Sequence, residues 1–228
     1  MKEVEGRGSE MEGRLPPDVR LHRLRYDAAH VAAWRALLSE EECARLDGYG
    51  VEKRQREFLL GRAAARQLLA DVLACAPPDV PLAVAESGAV DVRGDRARGL
   101  CLSLSHTEGE AAAAVARRPV GVDLERPQPR SKRLHQFLLA EEERPLLKTL
   151  PVSESDAFTL CWALKEAVLK ALRCGLRRSP KIVRIAEVDV EGGTAQLVAA
   201  DEKARFEAAF AREGALWLVI AYEQRSAS

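Results

Sequence analysis

The chain has 228 residues, with 35 Lys+Arg against 35 Asp+Glu and 47% hydrophobic positions. That balance excludes a disordered polyelectrolyte, and a formally neutral surface offers no overall field for long polyanions, so nucleic acid is not an expected partner. No run reaches the ~18 apolar residues of a membrane span, the first residues lack the apolar core of a signal peptide, and five cysteines without a C-x-x-C spacing do not form a disulfide framework. A monomeric, cytoplasmic protein with no membrane association is expected.

Residues 1–18 are polar, rich in glycine and closed by Pro16-Pro17, which reads as a flexible tail with nothing catalytic in it. Val19 to Leu24 alternates at period two as a strand does, and Ala28 to Leu38 reads as a short helix. Ser39-Glu40-Glu41-Glu42 is a capping box that opens a further helix, closed by Gly48 and Gly50. Phe58 through Leu73 forms a long, partly buried helix stopped by Pro77-Pro78. After a strand-and-turn stretch, Leu100 to His106 alternates apolar and small polar residues. Ala111 to Ala116 is compatible with helix or strand, and Val120 to Glu125 reads as a strand.

The second half has the same order. A helix from about Ser155 to Arg173, capped by Gly175, precedes strands at Ile182 to Val190, Ala195 to Ala199 and Leu216 to Tyr222. Sliding one long helix onto the other places Leu60-Gly61-Arg62-Ala63-Ala64 on Ala163-Leu164-Lys165-Glu166-Ala167. A duplicated α+β unit explains that likeness, and so does the similarity of any two amphipathic helices.

Asp123 and Glu125 lie at i and i+2 on a strand, so both carboxylates point to one face, roughly 7 Å apart at the backbone. Oxygen ligands at that spacing suit a hard ion such as Mg²⁺; a wet strand end beside Arg126 also tolerates them. Glu166 and Lys170 lie at i and i+4 on a helix, in the order that favours a simple salt bridge. Trp162 and Leu169 read as core, and Lys165 as a solvated neighbour. Ser103-Leu104-Ser105-His106 offers hydroxyls and an imidazole at a strand end, but no Gly-x-Ser-x-Gly elbow surrounds either serine, which discounts serine hydrolysis. Lys53, Arg54, Arg56 and Arg62 form a basic run entering the long helix. Taken singly, each feature has an ordinary structural explanation.

Together, and in this order, they resemble the Sfp-type phosphopantetheinyl transferases from about Leu37 to Leu176. The family's Gly-[Val/Ile]-Asp-x-Glu element is similar to Gly121-Val122-Asp123-Leu124-Glu125, and its Trp-x-x-Lys-Glu-[Ala/Ser]-x-x-Lys element to Trp162 through Lys170. A Ser-His element upstream resembles Ser103 to His106, and a Phe-Leu-x-Gly-Arg helix resembles Phe58 to Arg62. The resemblance implies an α+β fold built as a pseudo-twofold pair of similar lobes in one chain, here 19–119 and 120–228, with the active site between them. It implies Mg²⁺-dependent transfer of the 4'-phosphopantetheine arm of coenzyme A to a serine of an apo acyl or peptidyl carrier protein, releasing adenosine 3',5'-bisphosphate.

By the same carry-over Asp123, Glu125 and Glu166 hold Mg²⁺, and Lys170 neutralises the diphosphate. Ser105 and His106 contact phosphate, Arg62 with Arg56 or Lys53 grips the 3'-phosphate, and Lys165 belongs with the coenzyme-binding residues. Glu166 is the first choice for the general base, directly or through a metal-bound water, and Glu125 the second. Many relatives have Gly-Lys-Pro where Gly88-Ala89-Val90 stands; Arg93, Arg96 or Arg98 are the expected replacements for that lysine. Residues 130–147, with Lys132, Arg133, Phe137, Leu138 and Leu139, combine bases and apolar residues as a surface for an acidic carrier protein would, and a helix that only packs on the second lobe explains them equally well. A metal-dependent hydrolase of coenzyme A or nucleotides, and a non-catalytic protein that binds carrier proteins, are the competing readings.

Overall fold

The computed structural model describes residues 11–85, 88–107, 109–200 and 203–225. Strand β1 (Arg20–Arg25) leads through helices α1 (Val31–Arg35) and α2 (Glu40–Asp47) to the long α3 (Glu52–Leu73). A hairpin of β2 (Leu82–Val84) and β3 (Val90–Val92) follows, then β4 (Cys101–Thr107), β5 (Glu110–Ala116) and β6 (Val120–Glu125). Helices α4 (Lys132–Leu138), α5 (Leu146–Thr149) and α6 (Glu154–Ala171) precede β7 (Val183–Asp189), β8 (Thr194–Ala199), β9 (Ala204–Glu213) and β10 (Leu216–Glu223). The architecture is α+β, with one antiparallel sheet ordered β1-β5-β4 and another ordered β6-β10-β9-β8-β7.

The alanine run of β5 explains how these layers close. Ala111, Ala113 and Val115 face a core that contains Leu60, Ala63 and Ala64 of α3. Ala112, Ala114 and Ala116 face a second core shared with Val122, Leu124, Leu218 and Ile220 of the larger sheet. A strand covered on both faces needs apolar residues throughout, and alanine lets both neighbouring layers approach closely. On β10, Trp217, Val219 and Ala221 point the other way, into a third core with Leu164, Ala167 and Val168 of α6. The two sheets therefore stack face to face, with α3 and α6 on the outer sides.

Gly121 sets how closely α6 lies on β6: a Cβ there would collide with the backbone carbonyl of Ala167 and press on the amide nitrogen of Ala171. Side chains, not a continuous ladder, join the sheets along β6. Ser103 Oγ accepts from the Val122 amide at 3.0 Å, and Ser105 Oγ accepts from the Leu124 amide at 3.1 Å. Two serines at i and i+2 on β4 thus satisfy alternate N–H groups on the edge of β6.

Several expectations change. Within the segment read as a flexible tail, Met11 is fully buried, Arg14 donates to the Phe210 carbonyl and Asp18 pairs with Arg118; residues 1–10 lie outside the described residues. Strand β9 was not expected, because its Ala, Glu and Arg content favours helix. It is nevertheless paired on both sides, with β8 and β10, and that pairing overrides local propensity. The long first helix begins at Glu52, earlier than its apolar pattern. Arg173, at φ 59°, takes the left-handed position that ends α6, and Gly175, at φ 51°, is left-handed two residues further on. No helix among the described residues is long and apolar enough to cross a membrane.

Candidate active site

A cavity of about 580 Å³ opens where α3, β4 and the C-terminal end of α6 meet the β2–β3 hairpin. Phe58, Gly61 and Arg62 reach it from one face of α3, being at i, i+3 and i+4. His106 comes from β4, and Glu166 and Lys170 from one face of α6. The adjacent segment adds Arg173, Cys174, Gly175, Leu176 and Arg177, α2 adds Arg45, and Gly88, Ala89 and Val90 form the hairpin wall.

The acids meet beside this cavity. Asp123 is nearly fully buried, and its Oδ1 accepts from Lys170 Nζ at 2.7 Å and from Ser105 Oγ at 3.0 Å. Lys170 Nζ also donates to Ser105 Oγ and to the Val122 carbonyl, each at 3.0 Å, so its three protons are all engaged. Burial, then the neighbouring Asp123, pushes Glu125 up to about 7. Burial also raises Glu166, against the lowering influence of Lys170.

Asp123 Oδ2 and Glu166 Oε2 are both buried without a hydrogen-bond partner. Uncompensated anionic oxygens are costly in a protein interior, and this pair is the chemistry of a site for a hard cation. Among the described residues no three His, Cys, Asp or Glu side chains stand as a ready-made metal group; Asp123 is held by Lys170 and Ser105 instead. The donor set, all carboxylate and with two orphaned oxygens, fits Mg²⁺ in its ligand chemistry.

The sequence-based assignments divide. Arg62 is on the cavity, its guanidinium 3.4 Å from Glu42 and stacked over the Phe58 ring at 5.2 Å, and burial lowers its pKa. His106 is on the cavity, 3.8 Å from Glu57, with burial lowering its pKa. Ser105 is not a free phosphate ligand: its one proton goes to Asp123 and it accepts from both Leu124 and Lys170, which locks it into the joint between sheets. Lys53 and Arg56 do not line the cavity; Lys53 lies 4.0 Å from Glu57, and Arg56 pairs with Glu52 and stacks on Tyr26.

Lys165 departs furthest from expectation. It is fully buried and donates to Glu143 Oε2 at 2.7 Å and to the Val183 carbonyl at 2.7 Å, on a different side of α6 from Glu166. Burial lowers its pKa, opposed by the Glu143 carboxylate. It is a structural ion pair, neither a solvated neighbour nor a cavity residue. Arg93, Arg96 and Arg98 do not line the cavity either; Arg96 donates to the Leu73 carbonyl and Arg98 pairs with Asp95. The cations that sequence reading missed are Arg45, Arg173 and Arg177. None of the three carried a signal in the sequence, because which arginines reach the cavity depends on how the helix ends pack.

Two antiparallel sheets, each backed by a long helix, with buried acids and a cavity rich in cations at their joint, define an α+β protein. The chain matches the model of the 4'-phosphopantetheinyl transferase superfamily over residues 119–217 and that of the 4'-phosphopantetheinyl transferase N-terminal domain over 47–116. It is 31% identical over 163 residues to enterobactin synthase component D of Salmonella typhi, covering 67% of this chain and 62% of that protein. A Synechocystis protein provisionally named a 4'-phosphopantetheinyl transferase is 29% identical over 154 residues, covering 66% of this chain and 63% of that protein. The chain thus spans a little over six-tenths of the length of each of these two relatives. It belongs to the 4'-phosphopantetheinyl transferase superfamily.

Proposed function

We propose that the protein transfers the 4'-phosphopantetheine arm of coenzyme A to a serine of an apo acyl or peptidyl carrier protein, with Mg²⁺ as cofactor and adenosine 3',5'-bisphosphate as the released product. The observation that carries this reading is the pair of orphaned buried oxygens, Asp123 Oδ2 and Glu166 Oε2, at the edge of a cavity lined by Arg45, Arg62, Lys170, Arg173 and Arg177. Coenzyme A brings a diphosphate and a 3'-phosphate, which the guanidinium groups of the cavity wall would oppose, while the two orphaned carboxylate oxygens call for a further cation. Asp123, Glu125 and Glu166 are the residues that would hold Mg²⁺. When bound, the ion neutralises the carboxylates and polarises the diphosphate.

The chain's own residues supply the rest. Lys170, anchored on the Val122 carbonyl and Ser105, presents an ammonium where charge grows on the leaving phosphate oxygen. Arg62, with Arg45 beside it in the wall, takes the 3'-phosphate. Glu166 is the first choice to accept the proton of the carrier serine as the serine oxygen attacks phosphorus, with Glu125 the second. The P–O bond to the nucleotide breaks and the electron pair leaves on adenosine bisphosphate. The same reading takes the chain as a cytoplasmic monomer with lobes at 19–119 and 120–228; the gap between the two matched family regions, after 116 and before 119, supports that division. Lys132, Arg133 and Phe137, all exposed on α4, form its carrier-facing surface, whereas Leu138 and Leu139 are core.

Incubation with coenzyme A, Mg²⁺ and a panel of apo carrier proteins tests this. A carrier that gains the mass of one phosphopantetheine group is the expected result. Cleavage of coenzyme A without carrier modification would assign a hydrolase, and carrier binding without either reaction would assign a non-catalytic partner.

A further inference from the structure

The end of α6 combines an unfavourable backbone with a positively charged side chain. Arg173 N–H donates to the Lys170 carbonyl at 2.9 Å and Cys174 N–H to the Leu169 carbonyl at 3.1 Å, which closes the helix with Arg173 at φ 59°. Glycine is the usual residue in that place, because a Cβ is disfavoured at positive φ. The Arg173 guanidinium reaches Asp91 of β3 at 2.6 Å, but the two side chains are 43% and 32% exposed, and an ion pair so open to water contributes little to stability. Folding alone therefore does not account for arginine here. Ala74 takes the same left-handed position at the end of α3, so the backbone alone does not mark a ligand, and the placement of the Arg173 side chain carries the argument.

Arg173 also forms part of the cavity wall, next to Gly88, Ala89 and Val90, which bring no charge of their own. The neighbouring cations are more heavily committed. Lys170 has all three protons engaged, Arg62 lies against Glu42, and Arg177 donates to the Cys174 and Arg173 carbonyls. A guanidinium has five N–H donors in a planar fork, so one carboxylate at one edge leaves donors for a second anion.

We propose that Arg173 is a phosphate-binding residue of this chain, with Asp91 as the counter-ion that holds its guanidinium at the cavity wall before the ligand arrives. The proposal rests on the coenzyme A reading above. Calorimetric titration of coenzyme A, and of coenzyme A lacking its 3'-phosphate, into the parent, Arg173→Gly and Asp91→Asn tests it, alongside unfolding midpoints. Arg173→Gly is expected to weaken coenzyme A binding at least tenfold while its midpoint stays level or rises, since glycine relieves the left-handed strain. Asp91→Asn is expected to weaken binding less than Arg173→Gly does, since the guanidinium with its donors remains and only the charge that holds it is lost. A greater loss with the full coenzyme assigns Arg173 to the 3'-phosphate, and equal losses assign it to the diphosphate. Unchanged affinity in Arg173→Gly overturns the proposal. So does an equal weakening by Asp91→Asn, which would make the pair a latch on the hairpin. If the parent binds no coenzyme A at all, the functional reading itself fails.

Discussion

Lys170 Nζ lies 2.7 Å from Asp123 Oδ1, so the cation proposed above to meet the diphosphate serves as the counter-ion of a buried acid. Asp123 cannot be treated as one member of a purely repelling cluster, because its removal strands Ser105 and Lys170. Asp123→Ala is expected to lower stability by about 1–3 kcal/mol, the cost of unpaired buried polar groups. The proposed transferase activity should fall about 10²–10³-fold, in the range for loss of one charge-stabilising group. Chemical denaturation and a carrier-modification assay read the two effects. A coupling energy near zero in the double cycle with Lys170→Ala would show that the contact is not formed in solution.

The pH response of the metal-free protein should report Glu125. Its folded value, about 7, stands above the ordinary 4.5 because of burial and Asp123. The folded state then holds a proton that the unfolded chain has lost, so this contribution to stability is complete below about pH 4.5 and fades as pH rises through 7. In EDTA, Glu125→Gln should match the parent near pH 4.5 and exceed it at pH 8. Denaturant midpoints across that range check the sign, and parallel curves would refute it.

Much of this was legible because period and spacing are geometric. Glu166 and Lys170 share a helix face by their i, i+4 separation, and Asp123 lies on the face of β6 turned to α6, where the helix end brings Lys170 to it. Lys165 was misread for the same geometric reason: one residue along a helix turns the side chain by ~100°, and it leaves the cavity for Glu143. The serines of β4 looked like ligands because their joining role depends on an edge strand 19 residues later. Strand β9 was invisible to local propensity, since its stability comes from neighbours on both sides.

Lys165 and Glu143 should behave as a buried pair. Lys165→Ala leaves the Glu143 carboxylate without its main cation in a dry interior, which costs about 3–5 kcal/mol. Replacing both partners, as Lys165→Met with Glu143→Gln, should recover most of that loss. The coenzyme A KM of the double variant should stay at the parental value. A raised KM with an unchanged unfolding midpoint would return Lys165 to the coenzyme-binding residues.

Gly121→Ala should damage stability and catalysis together, because the atoms its Cβ would strike are the backbone carbonyl of Ala167 and the amide nitrogen of Ala171. Neither can rotate away as a side-chain tip would, so α6 must lift from β6 or slide along it. Overpacking of this kind costs about 1–3 kcal/mol. The same displacement carries Glu166 and Lys170, one turn apart on that helix, away from Asp123. The activity lost should therefore exceed what the unfolded fraction explains, and truncating Ala167 to glycine should not restore it, since the obstructing carbonyl remains. Activity per folded molecule, obtained from turnover and unfolding curves at one temperature, decides the matter: a value equal to the parent's would mean that β6 and α6 do not set the geometry of the acids.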